Sequence, residues 1–213
     1  KAPVSITKRH FPDMAHLGDI NLLDGGKIPP VDIITFGSPC QNLSQIGDRA
    51  GLTGKKSSLF FEAIRIINEM RDATGNLFPT FAVWENVMGS LSSGNRLDFG
   101  AVLTAFTGRA VPMPVSGKWA NAGMVRGGRP DVAWRLMDAQ YWTRPPLARR
   151  KRVFVLADFR GRRAAEILFR PWRVLSFFGA GGPGGDPAAP GDRGPFLETG
   201  GRVPIIPPFK CIE

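Results

Sequence analysis

Cys40 lies shortly after an apolar run, Val31–Phe36, which is bounded by Pro29-Pro30 and Gly37. Continuous apolar residues with turn residues on both sides predict a buried strand. A cysteine after such a strand is more often a small buried hydrophobe than a nucleophile. The next loop, however, has glycines that suit a hinged lid and basic side chains that suit phosphate contact: Gly47, Gly51, Gly54, Arg49, Lys55 and Lys56.

Glu85 ends a second apolar run, Phe81–Glu85, which also predicts a buried strand. Between the two runs, Ser57–Ala73 has apolar residues at helical spacing. Further along, the pattern predicts a helix at Phe99–Phe106 that stops at Gly108, and strands at Val132–Met137 and Val153–Asp158. Strands that alternate with helices indicate a doubly wound α/β sheet, which binds ligands at the carboxyl ends of its strands. We therefore expect the Cys40 thiol and the Glu85 carboxylate at the same rim.

The composition narrows the class of protein. The 213 residues suffice for one sizeable α/β core. No apolar run reaches the ~18 residues of a membrane span, so we expect no membrane partner. The two cysteines, Cys40 and Cys211, are too few for a disulfide framework or a metal site, which fits a reducing cytoplasm.

The net charge of +10 is concentrated in one stretch. Ten basic residues and two acidic ones, Asp158 and Glu166, lie between Arg144 and Arg173, which leaves a net +8 there. Such a stretch is either a solvated basic face or a phosphate-binding surface for nucleic acid. From Pro171 to the C-terminus, nine of 43 residues are Gly and eight are Pro, which predicts a linker or disordered tail.

Three segments carry a family resemblance. GSPCQNLSQIGDRAGL with SLFFEAIRII, then VWENV, then DAQYW with RRKRVFVLADF, resemble in this order the motifs of C5-cytosine DNA methyltransferases. The similarity covers about residues 1–170, which we expect to be a partial catalytic domain, followed by the Gly/Pro-rich tail at 171–213. It implies a Rossmann-like fold that depends on S-adenosylmethionine. Double-stranded DNA is the implied partner, and we expect a monomer in the cytoplasm of a bacterium or a phage-infected host, with a role in restriction-modification.

The resemblance also implies roles for individual residues. Cys40 would attack cytosine C6, Glu85 would bind N3 and the exocyclic amine, and Arg152 would hold the base carbonyl. Arg150 would help to orient the site. The base would be flipped out of the duplex under the loop after Cys40, with Gln41 and Ser44 near the phosphates.

For the cofactor, the resemblance implies an adenine contact by Asp19 and a wall formed by Pro39 and Leu59. A helix cap or turn remains the other interpretation of Asp19. The family's opening strand and Gly-rich loop are expected before Lys1, and Ala148 stands where the family's arginine motif has Gln. A circular permutation that moves the Gly-rich loop to Phe178–Gly182 is disfavoured by Pro183, Pro187 and Pro190. We therefore expect an incomplete fold and weak or no activity for these residues alone.

Two alternatives stay open. One is methylation of cytosine in tRNA, because that branch of the family shares the cysteine and Glu-Asn-Val motifs. The other is a non-catalytic remnant that binds DNA through the basic stretch 144–173.

Overall fold

The computed structural model describes residues 2–38, 58–141 and 149–169, with side chains from residue 4 in the first range and from residue 59 in the second. Its helices are α1 (Ala2–His10), α2 (Ser58–Ala73), α3 (Leu97–Thr107) and α4 (Ala164–Phe169). Its strands are β1 (Ile33–Gly37), β2 (Phe81–Val87), β3 (Ala122–Val125), β4 (Asp131–Asp138) and β5 (Lys151–Asp158). Single 3-10 turns occupy Ile20–Leu22, Met88–Leu91, Gly94–Arg96 and Ala139–Tyr141.

The five strands form one sheet in the order β1-β2-β5-β4-β3. β1 and β2 are parallel, with α2 in the connection between them, and the other three strand pairs are antiparallel. Within the described residues the parallel part of the predicted α/β sheet is therefore the β1–β2 pair. The sheet is mixed.

Helices cover both faces of the sheet. Alternate residues of each strand point to opposite sides, so each face has its own apolar side chains against which a helix packs. On one face, β2 contributes Ala82 and Trp84 to an aromatic core that also contains Phe60 of α2 and Phe99 of α3. Phe60 and Trp84 meet edge to face, with ring centroids 5.8 Å apart. On the other face, α4 packs against a smaller cluster that includes β2, β4 and β5 side chains. This layering confirms the predicted α/β architecture with helices on both sides.

All six predicted elements are present with shifted ends. α3 stops at Gly108, as predicted; this glycine has φ +66° and its N–H bonds to the carbonyl of Thr104. The prediction was wrong at Val31, which is exposed, because β1 begins at Ile33. The carbonyl of Asp32 instead accepts the N–H groups of Thr80 and Phe81 just before β2 begins. The predicted tail, 171–213, lies outside the described residues.

Among the helices that the structure describes, none is long and apolar enough to cross a membrane.

Candidate active site

The carboxyl ends of β1 and β2 lie side by side. In the parallel register Gly37 pairs with Glu85. A Cβ atom at Gly37 would lie 3.3 Å from Oε2 of Glu85, which is tighter than ordinary van der Waals contact. Glycine at this position therefore leaves room for the carboxylate, whose Oε2 lies beside the last residue of β1.

Ser38, the residue after β1, is fixed by two side chains of β2. Nε1 of Trp84 donates to Oγ of Ser38 (3.0 Å), and Nδ2 of Asn86 donates to its carbonyl oxygen (2.6 Å). Oδ1 of Asn86 accepts the N–H of Val87 (2.8 Å). Because Trp84, Ser38 and Asn86 are all buried, these bonds are shielded from water and define how the chain leaves the strand. The Glu-Asn-Val segment thus anchors the start of the cysteine loop.

Arg152 of β5 pairs with Glu85. Its Nε lies 2.8 Å from Oε1 of Glu85, and its Nη1 donates to the carbonyl of Lys151 (2.8 Å). Arg152 sits opposite Val87 and Glu85 sits opposite Phe154 in the antiparallel register, so the pair is a diagonal cross-strand contact. The side chains of Arg152 and Glu85 are 24% and 17% exposed. The pair is thus partly desolvated yet open to a ligand.

Arg150 does not join this pair. It is exposed, and its backbone forms two hydrogen bonds: its N–H donates to Oδ1 of Asp138 (3.0 Å), and its carbonyl accepts the N–H of Ala139. Of the two predicted arginines, the structure brings Arg152 to Glu85.

Asp19 caps the 3-10 turn at Ile20–Leu22. Its Oδ1 accepts both the N–H and Nδ2 of Asn21, at 2.9 and 2.7 Å. The hydrogen bond from the backbone N–H of Asn21 and, to a smaller extent, the bond from its side chain hold the pKa of Asp19 below its ordinary value. Asp19 thus has the capping geometry that the sequence offered as the alternative to an adenine contact. Its carboxylate is exposed, and Oδ2 is still available to a ligand.

The segment that carries Asp19 is clamped onto α2 by Arg65, a contact that the sequence reasoning missed. Arg65 donates to the carbonyls of Ile20 (3.0 Å) and Leu23 (2.8 Å), and it pairs with Glu62 and Glu69 at 2.7 Å each. The hydrogen bond to Glu69 and, to a smaller extent, the bond to Glu62 raise the pKa of Arg65. The spacing of the three charged residues suggests a helix-surface pair; nothing in the sequence indicates the two carbonyl partners.

Glu69 completes the clamp by accepting the N–H of Gly25 (2.7 Å). The hydrogen bond from Arg65 and, to a smaller extent, the bond from the N–H of Gly25 hold the pKa of Glu69 below its ordinary value. Leu59, the other described cofactor candidate, is half-buried at the start of α2 and packs against the aromatic core.

Seven predicted site residues lie outside the described residues, and their roles stay predictions: Pro39, Cys40, Gln41, Ser44, Arg49, Lys55 and Lys56. Within the described ranges no group of three or more His, Cys, Asp or Glu side chains is placed to hold a metal ion.

The predicted basic stretch does not form one surface. Arg150 and Arg152 lie at the Glu85 end of β5, whereas Arg160, Arg162 and Arg163 follow its other end. Arg152 and Asp158 are six residue steps apart, which is about 20 Å in a strand. β5 therefore divides the described part of this stretch into two separate basic groups.

The Glu85 carboxylate and the Arg152 guanidinium, at neighbouring strand ends of the mixed sheet, form a candidate active site. Residues 6–108 match the family model of the C-5 cytosine-specific DNA methylases. This match includes the GSPCQ and VWENV segments, in agreement with the resemblance that the motifs predicted.

Named relatives are similar over different lengths. The DNA N-6-adenine-methyltransferase of Escherichia phage P1 is 33% identical over 186 residues, which cover 74% of this chain and 24% of that protein. The type II methyltransferase M1.ScrFI of Lactococcus lactis is 42% identical over 71 residues, or 33% of this chain and 18% of that protein. M.NlaIV of Neisseria lactamica is 34% identical over 88 residues, or 41% of this chain and 19% of that protein. The chain thus spans about a quarter or less of the length of these relatives.

Proposed function

We propose that the chain takes part in transfer of a methyl group from S-adenosylmethionine to C5 of cytosine in DNA. The observation that carries the proposal is the Glu85 carboxylate, held by Arg152 at 2.8 Å beside the end of β1, from which the chain leads directly to Cys40.

Cys40 supplies the nucleophile in this proposal. Cytosine C5 is a poor nucleophile until a thiolate adds to C6 and turns the ring into an enamine. Two residues after Ser38, Cys40 has its Cα within about 7 Å of that of Ser38, at ~3.6 Å per residue. Because Ser38 is held by Trp84 and Asn86, the loop that bears the thiol starts from a fixed point next to Glu85.

Glu85 binds the base edge. Arg152 occupies Oε1, so Oε2, which lies toward Gly37, accepts a hydrogen bond from the exocyclic amine or from protonated N3. That bond strengthens as the adduct forms and positive charge develops at N3, so it stabilises the transition state more than the ground state. Arg152 acts here through the carboxylate, which it orients before the base arrives.

The methyl donor, when bound, supplies an electrophilic methyl group. Asp19 and Leu59 fit one edge of its site: Oδ2 of Asp19 can accept a hydrogen bond from an adenine amino group, and Leu59 offers an apolar side chain. Arg65 keeps the Asp19 segment against α2, which limits the entropy lost when a ligand is bound.

DNA enters the proposal through base flipping. Cytosine C6 is inaccessible to a thiol inside a stacked duplex, so the base must rotate into the cleft beside Glu85. Gln41, Ser44, Arg49, Lys55 and Lys56, all outside the described residues, would contact the flanking phosphates.

Adenine is the second candidate base, because the phage P1 relative is named an N-6-adenine-methyltransferase. Amino-methylating enzymes carry an Asp/Asn-Pro-Pro-aromatic motif where this chain has Pro39-Cys40. The matched region is 24% of the phage protein, so the activity in its name can reside in the remaining three quarters. The described residues favour cytosine, since a Glu85 carboxylate suits a base edge with an amine next to a protonated ring nitrogen.

The experiment is a single-turnover methylation assay with the chain in excess and the methyl donor saturating, so that slow transfer is detected. Duplex DNA and tRNA are offered separately, and modified nucleosides are separated by mass spectrometry. We expect 5-methylcytosine in DNA, and a loss of at least about a hundredfold for Glu85→Gln, the order of one preorganised hydrogen bond in a transition state. N6-methyladenine, or methylation of tRNA alone, would refute the proposal. Tight DNA binding without any methylation would favour the non-catalytic remnant.

A further inference from the structure

A cavity of about 170 Å³ lies at the end of the sheet opposite to Glu85. It is lined by Arg126, Gly127, Gly128, Asp131 and Arg162. Asp131 begins β4 and pairs with Asp158, the last residue of β5, whereas Arg152 lies near the first. The cavity and the Glu85–Arg152 pair are therefore separated by about 20 Å along β5.

The β3–β4 turn that forms one wall is held by Arg109. Its Nη1 donates to the carbonyl of Gly127 (2.8 Å), and its Nη2 donates to that of Arg126 (3.0 Å). Gly127 has φ +107°, a conformation that side chains disfavour, and a Cβ at Gly128 would lie 3.3 Å from Nη1 of Arg109. Two glycines in sequence thus allow the guanidinium to lie against the turn and leave its backbone uncovered.

Two arginines, Arg126 and Arg162, line the cavity against one lining carboxylate, Asp131, and the guanidinium of Arg109 bonds to the adjacent turn. Asp131 is buried, and its Oδ2 accepts the backbone N–H of Ala164 (3.1 Å).

Asp158, next to Asp131, is also satisfied from within the protein. It is fully buried and accepts the N–H groups of Arg160 (3.1 Å), Gly161 (2.7 Å) and Arg163 (3.0 Å). At the surface, Glu166 of α4 is exposed, but arginines outnumber it: Arg109, Arg126, Arg129, Arg160, Arg162 and Arg163 are all exposed.

We propose that this cavity binds a phosphodiester group of the DNA backbone, as a second contact about 20 Å from the candidate active site. At ~30 Å³ per water molecule the cavity has room for about five waters, and a phosphate group has five heavy atoms. Arginine forks match phosphate oxygens, and Arg126 and Arg162 approach from two different turns. The proposal rests on DNA as the substrate of the proposed function.

The surroundings favour DNA over a free phosphate ion. Arg126 and Arg162 are exposed rather than enclosed, and four more exposed arginines either bond to the lining turn or lie within two residues of a lining residue in sequence: Arg109, Arg129, Arg160 and Arg163, the last of which pairs with Asp158 at 3.7 Å. An open, extended basic surface attracts a polyanion, which releases many counterions when it binds.

The experiment measures duplex DNA affinity of the 213-residue chain by fluorescence anisotropy, without methyl donor, from 50 to 200 mM KCl. Arg126→Ala/Arg162→Ala is compared with Arg126→Lys/Arg162→Lys, which keeps the charge, and with Arg9→Ala/Lys118→Ala, which removes two exposed charges elsewhere. Circular dichroism establishes that each variant folds.

Each phosphate that is no longer neutralised lowers the slope of log K against log salt by about 0.9, so the double alanine variant, which loses one phosphate contact, should lose about 0.9. Between 50 and 200 mM salt, the ratio of the affinities of the unchanged chain and of this variant should therefore fall by about 3.5-fold. The lysine variant should keep most of the slope, and Arg9→Ala/Lys118→Ala should keep all of it.

Equal slopes for the two alanine double variants would overturn the proposal, because the cavity would then be no different from any other surface charge. So would binding of inorganic pyrophosphate that requires Arg126 and Arg162 while the DNA slope is unchanged, since the site would then serve a free phosphate. If Glu85→Gln shows no methylation defect but the slope falls as expected, the proposed function fails and the cavity assignment stands.

Discussion

Removal of either partner of the Glu85–Arg152 pair tests whether the candidate site is preorganised. The perturbations are Arg152→Ala, Glu85→Gln and the double variant. If Arg152 holds Glu85, each single change should destabilise the fold, and the double change should cost less than the sum of the two, because the interaction is lost only once.

The size of the coupling follows from the geometry. At 2.8 Å and an effective dielectric constant of about 20, the gross attraction is about 6 kcal/mol. Exposure of 24% and 17% allows water to screen it, and fully exposed pairs retain only about 0.2–1 kcal/mol. A charge-assisted hydrogen bond contributes about 1.5–3 kcal/mol. We therefore expect a coupling of about 1–2 kcal/mol at low salt, reduced in 1 M salt.

Urea unfolding of the four proteins measures this coupling. The pair Lys27–Asp24 is a matched control, with a similar distance of 2.8 Å but side chains that are 84% and 47% exposed. Its coupling should lie at the low end for exposed pairs, below about 0.5 kcal/mol.

A coupling below about 0.3 kcal/mol for Glu85–Arg152, or one equal to that of the control, would refute the reasoning. Water would then already separate the two groups, and Arg152 could not orient the carboxylate before a base binds.

Two further predictions concern the clamp on the Asp19 segment. Arg65→Ala should lower the free energy of unfolding by about 2 kcal/mol, because a charged donor is lost from two carbonyls and two carboxylates. Arg65→Ala should also weaken the loss of stability at acid pH. The pKa of Glu69 is held below its ordinary 4.5, so Glu69 stabilises the fold above pH 4.5 and this stabilisation is lost as the pH falls further. Urea unfolding measured from pH 7 to pH 3 checks both effects: coincident curves for the two proteins would contradict the loss of stability, and parallel curves would contradict the changed pH dependence. Gly25→Ala should lower the free energy of unfolding by at least about 2 kcal/mol, because its Cβ would overlap the carbonyl of Ile66. The control Gly89→Ala, whose Cβ would have no atom nearer than 3.9 Å, should cost under about 1 kcal/mol. Equal losses in urea unfolding would show that the turn at Gly25 shifts to accept the methyl group.

The strands that flank the site could be predicted because their patterns are strong and local. Phe81–Val87 is apolar where it faces the aromatic core, and Lys151–Asp158 contains an apolar run. β3 was not predicted, since Ala122–Val125 contains a glycine and is exposed at alternate residues. That strand exists because it pairs with β4, and such a long-range cause leaves no local signal.

Contacts between distant segments account for the rest. The charge count over residues 144–173 could not show that a strand of eight residues would separate the arginines into two groups. Likewise, α4 was overlooked because Arg162 and Arg163 were counted with the basic stretch, although they immediately precede its buried Ala164 and Ala165. The family motifs placed Glu85 and Arg152 in one site, but the ion pair between them was not predicted; it depends on the register of β2 and β5.

The most direct test of the central claim is covalent capture by Cys40 on duplex DNA that contains 5-azacytosine. Addition of the thiolate to C6 places a proton on N5 and needs no methyl transfer, so capture separates the cysteine chemistry from cofactor binding. On a denaturing gel, the unchanged chain and Cys211→Ser should form a protein–DNA adduct, and Cys40→Ser should form none. An adduct that persists in Cys40→Ser, or no adduct from an unchanged chain that binds this DNA, would contradict the assignment of Cys40 as the nucleophile.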